Sequence, residues 1–325
     1  MQTRPHVVVA VGVVFTALSS IFIRLSDAPS LAIAAYRMVF TTILLSPLFL
    51  RERIRGRGAA GNEGAIDRGG NGGEAVRRTD GRRPGRAASP GAPPTLRGAV
   101  LLSLVSGVFL ALHFAFWISS LSYTSVASST VLVTTHPIIV GLLGFLLLGE
   151  HLSLRGVLAM LGALGGSVVL VWGGLGAGES VFLGNVLAFL GSVTVAGYML
   201  LGRVVRRRLS VNAYTMIVYS VSALLLVAAA VVTGVPLYPY PLRELAIFIA
   251  LAFFCTLLGH SLFNWALRYL QPTIISTSIL GEPVIASLLA LALFGEVPTP
   301  YTLVGAALIL VGIYLFIRTD RKSVV

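Results

Sequence analysis

Only 11% of this 325-residue chain is charged, and just two of those charges stand clearly inside apolar runs: Arg37 and Glu282. A charge held at the centre of a bilayer costs about 2.5–3.5 kcal/mol on insertion scales, so one that persists there needs a partner or a task. The two could pair with each other, or each could hold one end of a zwitterionic ligand; Glu282 alone could carry a proton or a cation. Pro137 and Pro283 add a second kind of chemistry. Each removes a backbone N–H and crowds the carbonyl four residues earlier, Val133 and Ile279, so each predicts a helix break that frees a polar backbone group. His136 and Glu282 stand immediately before these prolines. Broken helices of this kind line ligand sites in carriers, and packing kinks without a ligand are the alternative reading of the same prolines. Asn264, an amide inside an apolar run, must find a partner in substrate or in another helix. Trp117 and Trp265 could wall a cavity or anchor the membrane interface.

Other chemistries lack their residues. There is no His-Glu-x-x-His, no pair of carboxylates inside one apolar stretch and no phosphate-cradling glycine loop, so a metal centre, acid–base catalysis and nucleotide-driven work have no visible basis. His113, His136 and His260 are not spaced as a helical metal pair, and the single cysteine, Cys255, reads as apolar filler. No cofactor is expected. A membrane-embedded enzyme and a channel are the rival functions. The first would borrow a second carboxylate from a loop, and the second would need a ring of repeated polar groups.

These residues must be positioned by elements that suit lipid. The chain is 56% hydrophobic, and its mean hydropathy is +0.91. Soluble domains sit near 45–50% apolar and about 25% charged. Ten apolar stretches of spanning length or nearly so can be read, at about 7–23, 31–50, 98–121, 126–148, 157–172, 181–201, 213–232, 245–267, 274–294 and 303–317. None alternates with period two, so the expected spans are helices and not barrel strands. The first stretch is too long for the apolar core of a secretory signal and is followed at once by further spans.

The formal net charge of +12 is distributed by side. Eleven arginines lie from Arg51 to Arg97; Arg203, Arg206, Arg207 and Arg208 form a second cluster; Arg318, Arg321 and Lys322 a third. With ten spans and an internal N-terminus, all three clusters fall on one face, the positive-inside pattern. That predicts both termini in the cytoplasm and gives no ground for a nucleic-acid partner. Residues 51–97, rich in Gly, Arg, Ala and Pro, are expected to be a disordered cytoplasmic loop.

Residues 123–150 repeat at 269–296 with a constant offset of 146, matching at eight of 28 positions, among them Tyr123 with Tyr269, Pro137 with Pro283 and Gly149-Glu150 with Gly295-Glu296. Gly166 and Gly312 keep the same offset. Glu150 and Glu296, at span ends, read as connection and capping, and Gly162 with Gly166 as a close-packing face. Five spans per copy is an odd number, so the second copy enters from the opposite side and the repeats are inverted, an architecture of secondary transporters.

The run Trp117-Ile-Ser-Ser-Leu-Ser-Tyr123 leading to Pro137 and Gly149-Glu150, its echo Asn264-Trp265-Ala-Leu-Arg-Tyr269 leading to Pro283 and Gly295-Glu296, and Ala-Tyr-Arg37 in the second span resemble the EamA-type drug/metabolite transporters. The likeness covers nearly the whole chain outside 51–97; Ala159 departs from it where the second copy has Gly305, and the arginine-rich insertion is unusually long.

The expectation is therefore an all-α integral membrane protein of about ten transmembrane helices in two inverted five-helix repeats. Repeat one comprises 1–50 and 98–175, repeat two 176–318, and 319–325 form a cytoplasmic tail. Such a chain would move a small metabolite or drug-like molecule across the plasma membrane by alternating access, with protons or a cation as coupling species. Its expected partners are the lipid bilayer, the substrate and, for a homodimer, a second copy. Arg37, His136, Glu282, Asn264, Trp117 and Trp265 are the pathway and coupling candidates.

Overall fold

The computed structural model describes residues 5–66, 94–124, 126–149, 153–172, 179–294 and 300–320, and among them every regular element is a helix. In chain order these are α1 (Pro5–Arg24), α2 (Ser30–Ile66), α3 (Leu96–Ser120), α4 (Val126–Val133), α5 (His136–Leu148), α6 (Leu154–Trp172), α7 (Glu179–Val205), α8 (Val211–Val232) and α9 (Leu242–Ala250). After α9 a π-helix spans Leu251–His260, followed by α10 (Ser261–Ala266), α11 (Pro272–Ile279), α12 (Glu282–Phe294) and α13 (Pro300–Asp320).

Seven stretches are long and apolar enough to cross a membrane: Pro5–Arg24, Ser30–Ile54, Leu96–Ser120, Phe182–Val205, Val211–Val232, Leu242–Ala266 and Pro272–Leu293. Three shorter apolar helices, His136–Leu147, Leu154–Gly166 and Leu303–Phe316, lie at the other expected positions. The chain is a multi-pass membrane protein. Its sorting of side chains agrees: Leu101, Phe182, Leu224 and Leu303 face outward, while Ser19, Arg37, Thr256 and Asn264 are buried. In lipid the exterior needs no polarity, and polar groups gain most from one another inside.

Local chemistry sets the helix ends. Thr95 and Ser210 cap α3 and α8 by accepting from Gly98 N at 3.1 Å and Ala213 N at 3.2 Å, satisfying donors that a helix start leaves unpaired. Gly149 closes α5 with φ +65, a left-handed conformation that a side chain would strain. Composition predicts that α2 stops near Leu50, but the helix continues to Ile66. Extending a nucleated helix costs little, and Arg51-Glu-Arg-Ile-Arg55 offers good helix formers. Residues 67–93 of the predicted loop, together with Glu150, Gly295 and Glu296, lie outside the described residues.

The helices pair by close approach: α3 runs against α7 and α8, α2 against α8, and α1 against the π-helix. The tightest seam joins α6 and α13. A Cβ on Gly166 would lie 2.8 Å from Gly305 O and 2.9 Å from Ile309 N; one on Gly312 would lie 2.8 Å from both Ala159 O and Ala163 N. These contacts exchange under the 146 offset, since 166 corresponds to 312, 159 to 305 and 163 to 309. Contacts that advance along α6 retreat along α13, so the two helices are antiparallel about a local two-fold.

Candidate functional site

Both expected helix breaks are present, each one turn before its proline. α4 ends at Val133 and α5 restarts at His136; α11 ends at Ile279 and α12 restarts at Glu282. Pro137 and Pro283 therefore sit in a first helical turn, where the missing N–H is an orphan anyway. The breaks are built alike: Thr135 N donates to Leu132 O at 3.2 Å, and Gly281 N, 146 residues on, donates to Ser278 O at 3.1 Å.

What fills the breaks differs. The His136 imidazole donates from Nδ1 to Val133 O at 2.9 Å, taking the carbonyl that Pro137 leaves without a donor. At the second break the same sequence position holds Glu282, whose carboxyl can donate to a carbonyl only when protonated.

A small cavity of about 50 Å3 lies between the breaks. Its wall brings together Arg37, His136, Glu282 and Trp117, four of the residues singled out by type and spacing. It also contains pairs that the 146 offset relates: Trp117 with Phe263, Val133 with Ile279, and His136 with Glu282. The cavity is thus shared between the two copies of the repeated segment.

Arg37 is fully buried on α2. It does not pair directly with Glu282. Its Nε donates to Thr256 Oγ1 at 2.7 Å and its Nη1 to Ser19 Oγ at 2.8 Å, and the guanidinium lies 4.4 Å from the centre of the Phe114 ring. Hydroxyls and an aromatic face orient the cation without neutralising it. The π-helix supplies one of those hydroxyls: its wider turn lets Thr256 also reach Leu251 O, five residues back, at 3.3 Å.

The remaining histidines read as polar residues lodged between helices, and both border the cavity. His113 Nδ1 donates to Gly191 O at 2.9 Å, and its ring stacks on Trp117. His260 lies among Phe114, Tyr198 and Phe263.

Asn264 and Trp265 stand apart from the cavity. Asn264 is fully buried, accepts from Tyr198 OH at 2.7 Å and donates to Tyr219 OH at 3.2 Å, knitting α7, α8 and α10 together. Trp265 packs on Tyr269, ring centres 4.5 Å apart. The repeat offset carried the signal that separates the two tryptophans: Trp117 plus 146 is Phe263, and a position two residues on is turned about 200° around a helix.

Ser19, Phe114, Thr130, Thr256 and Phe263 were not singled out by sequence, since their types are ordinary in an apolar helix. Arg206, counted only among topology-setting charges, is buried at the α7–α8 corner and donates to Asn264 O at 2.9 Å and to Leu209 O. Burial lowers its pKa to about 10, so it stays charged at neutral pH. There it complements the carbonyl end of α10. On the other end of the bundle Glu244 accepts from Ser26 Oγ at 2.5 Å and Asp27 N at 3.2 Å, joining the α1–α2 turn to α9.

No group of three or more His, Cys, Asp or Glu side chains suited to a metal occurs among the described residues. A model of the EamA-like transporter family matches residues 85–172 and again 182–318, one match on each copy of the repeat. No curated protein matches the chain. One crystal structure, described only as that of a protein, superposes with a TM-score of 0.67 over 98% of this chain and 98% of its own, at 17% identity; at that identity the likeness speaks to fold alone.

Proposed function

The chain belongs to the EamA-like transporter family of the drug/metabolite transporter superfamily, and from that premise we propose that it is a secondary carrier working by alternating access. Its substrate binds between two inverted five-span repeats, 1–50 with 98–175 and 176–318. The observation that carries this reading is the cavity between two equivalent helix breaks, with Arg37, His136 and Glu282 in its wall. The antiparallel, exchange-symmetric seam of α6 and α13 supports inversion, because helices that correspond in sequence and run oppositely are what an inverted pair requires. The arginine clusters support cytoplasmic termini in a plasma membrane.

The cavity offers a cation held by neutral hydroxyls and a carboxyl beside a broken helix, which suits a zwitterionic metabolite. Protonation of Glu282 is the coupling step. A protonated carboxyl can take over the donor role that His136 performs at the first break, whereas an ionised one cannot, so the charge state biases the geometry of the α11–α12 junction. A family of transporters and a wall without paired carboxylates favour a carrier over an enzyme.

Purified protein in liposomes should show saturable counterflow with at least one member of a panel of labelled zwitterionic metabolites, at a rate that changes with pH. Glu282→Gln should flatten the pH dependence while preserving the folded protein. Flux that rises linearly without saturation would sink the carrier reading, an unchanged pH profile in Glu282→Gln the coupling role, and a chemically altered product the exclusion of catalysis.

A further inference from the structure

Three polar atoms in the cavity wall have no hydrogen-bond partner: Trp117 Nε1, Thr130 Oγ1 and His136 Nε2. Their residues keep only 5%, 7% and 3% of their surface exposed, so bulk water does not serve them. They come from three helices, α3, α4 and α5. Natural interiors rarely leave such groups unpaired, and three of them on residues that line one cavity mark a place where a ligand completes the set.

Their hydrogen-bonding senses are fixed by chemistry. An indole N–H only donates. His136 has committed its Nδ1 proton to Val133 O, which leaves a lone pair on Nε2 that only accepts. The Thr130 hydroxyl does either. A carboxylate would satisfy Trp117 and Thr130 but would set its charge against the His136 lone pair. An ammonium would satisfy His136 and Thr130 and leave the indole N–H unpaired. A neutral group that accepts and donates at once satisfies all three.

We infer that Trp117, Thr130 and His136 form a subsite for a neutral carboxamide or hydroxyl on the transported molecule. The inference rests on the cavity being the substrate site and adds an orientation to it: the charged end lies toward Arg37 and Glu282, the neutral polar end toward α3, α4 and α5.

Trp117 reports on its own hydrogen bond. In full-length protein carrying Trp172→Phe and Trp265→Phe it is the sole tryptophan, and its emission can be titrated with acetamide, ethylene glycol, acetate and ethylammonium up to about 0.1 M. Acetamide, ethylene glycol or both should shift the emission and bind more tightly than the two ions, which separates the amide from the hydroxyl source. Thr130→Val should weaken that binding about 3- to 10-fold, as expected for one lost hydrogen bond, and Thr130→Ser should restore it. Sensitivity to Thr130→Val also distinguishes the subsite from acetate resting on Arg37. The inference is overturned if neither neutral probe shifts the emission, if an ion binds in a Thr130-dependent way as tightly as acetamide, or if Thr130→Val changes nothing. Discrimination among fragments without counterflow would remove the carrier reading and keep the subsite; counterflow without discrimination would do the reverse.

Discussion

The two helix breaks are a controlled experiment within one chain. Each interrupts a span one turn before a proline and bridges the gap with the same three-residue backbone bond. The first is sealed by a neutral imidazole that donates to the carbonyl Pro137 leaves behind. The second carries a carboxyl at the corresponding position, which can seal only with a proton. The backbone defect is therefore common to both copies, and under the coupling role proposed for Glu282 the difference in side chain makes the first break a permanent joint and the second a conditional one.

The sharpest way to break this comparison is to make the first joint conditional as well. His136→Glu removes a fixed donor and buries a second carboxyl, which should cost about 3–5 kcal/mol of stability near neutral pH. The loss should be smaller in acid, where the new carboxyl can donate. Thermal unfolding in detergent at two pH values measures it, and a loss independent of pH would mean that the donor is unimportant. A milder test is His136→Leu, which leaves Val133 O unpaired and should cost about 1–3 kcal/mol. Glu282→Leu removes no fixed donor and should leave the unfolding midpoint unchanged or raise it; equal losses at the two sites would erase the distinction. The smallest effect belongs to a residue that sequence reasoning placed beside the site. Trp265→Phe should change stability by less than about 0.5 kcal/mol and leave counterflow unaltered, whereas loss of flux would return Trp265 to the pathway.

Much of the architecture could be read from residues alone, because lipid imposes simple demands. Continuous apolar runs, proline positions and a constant offset are local or periodic properties, and the helices and their breaks follow from them; the α6–α13 seam was legible only as a close-packing face on Gly162 and Gly166, without its partner, and of the two it is Gly166 that meets α13. What brings Arg37 to Thr256, or Trp117 to Phe263, is packing between helices far apart in sequence, and no local pattern encodes it. The π-helix was equally hidden. Leu251-Ala-Phe-Phe-Cys-Thr-Leu-Leu-Gly-His260 reads as ordinary helix, yet it forms a π-helix whose Thr256 accepts from Arg37 on α2. Asn264 shows the limit of arguing from residue type: a buried amide demands partners, but type alone does not say whether those are ligands or the tyrosines of neighbouring helices.

The α6–α13 seam also bears on how the protein is made. Chains enter the membrane as they leave the ribosome, so α6 arrives well before α13, with Gly166 and its neighbours ready for a partner that does not yet exist. Seven other helical elements are threaded between the two. Until α13 emerges, the close-packing face of α6 has only lipid or a foreign helix against it, and a chain that stops short of Pro300 would leave it that way. Helix α13 is thus the element that closes this face of α6, and it is made after every other helix of the bundle.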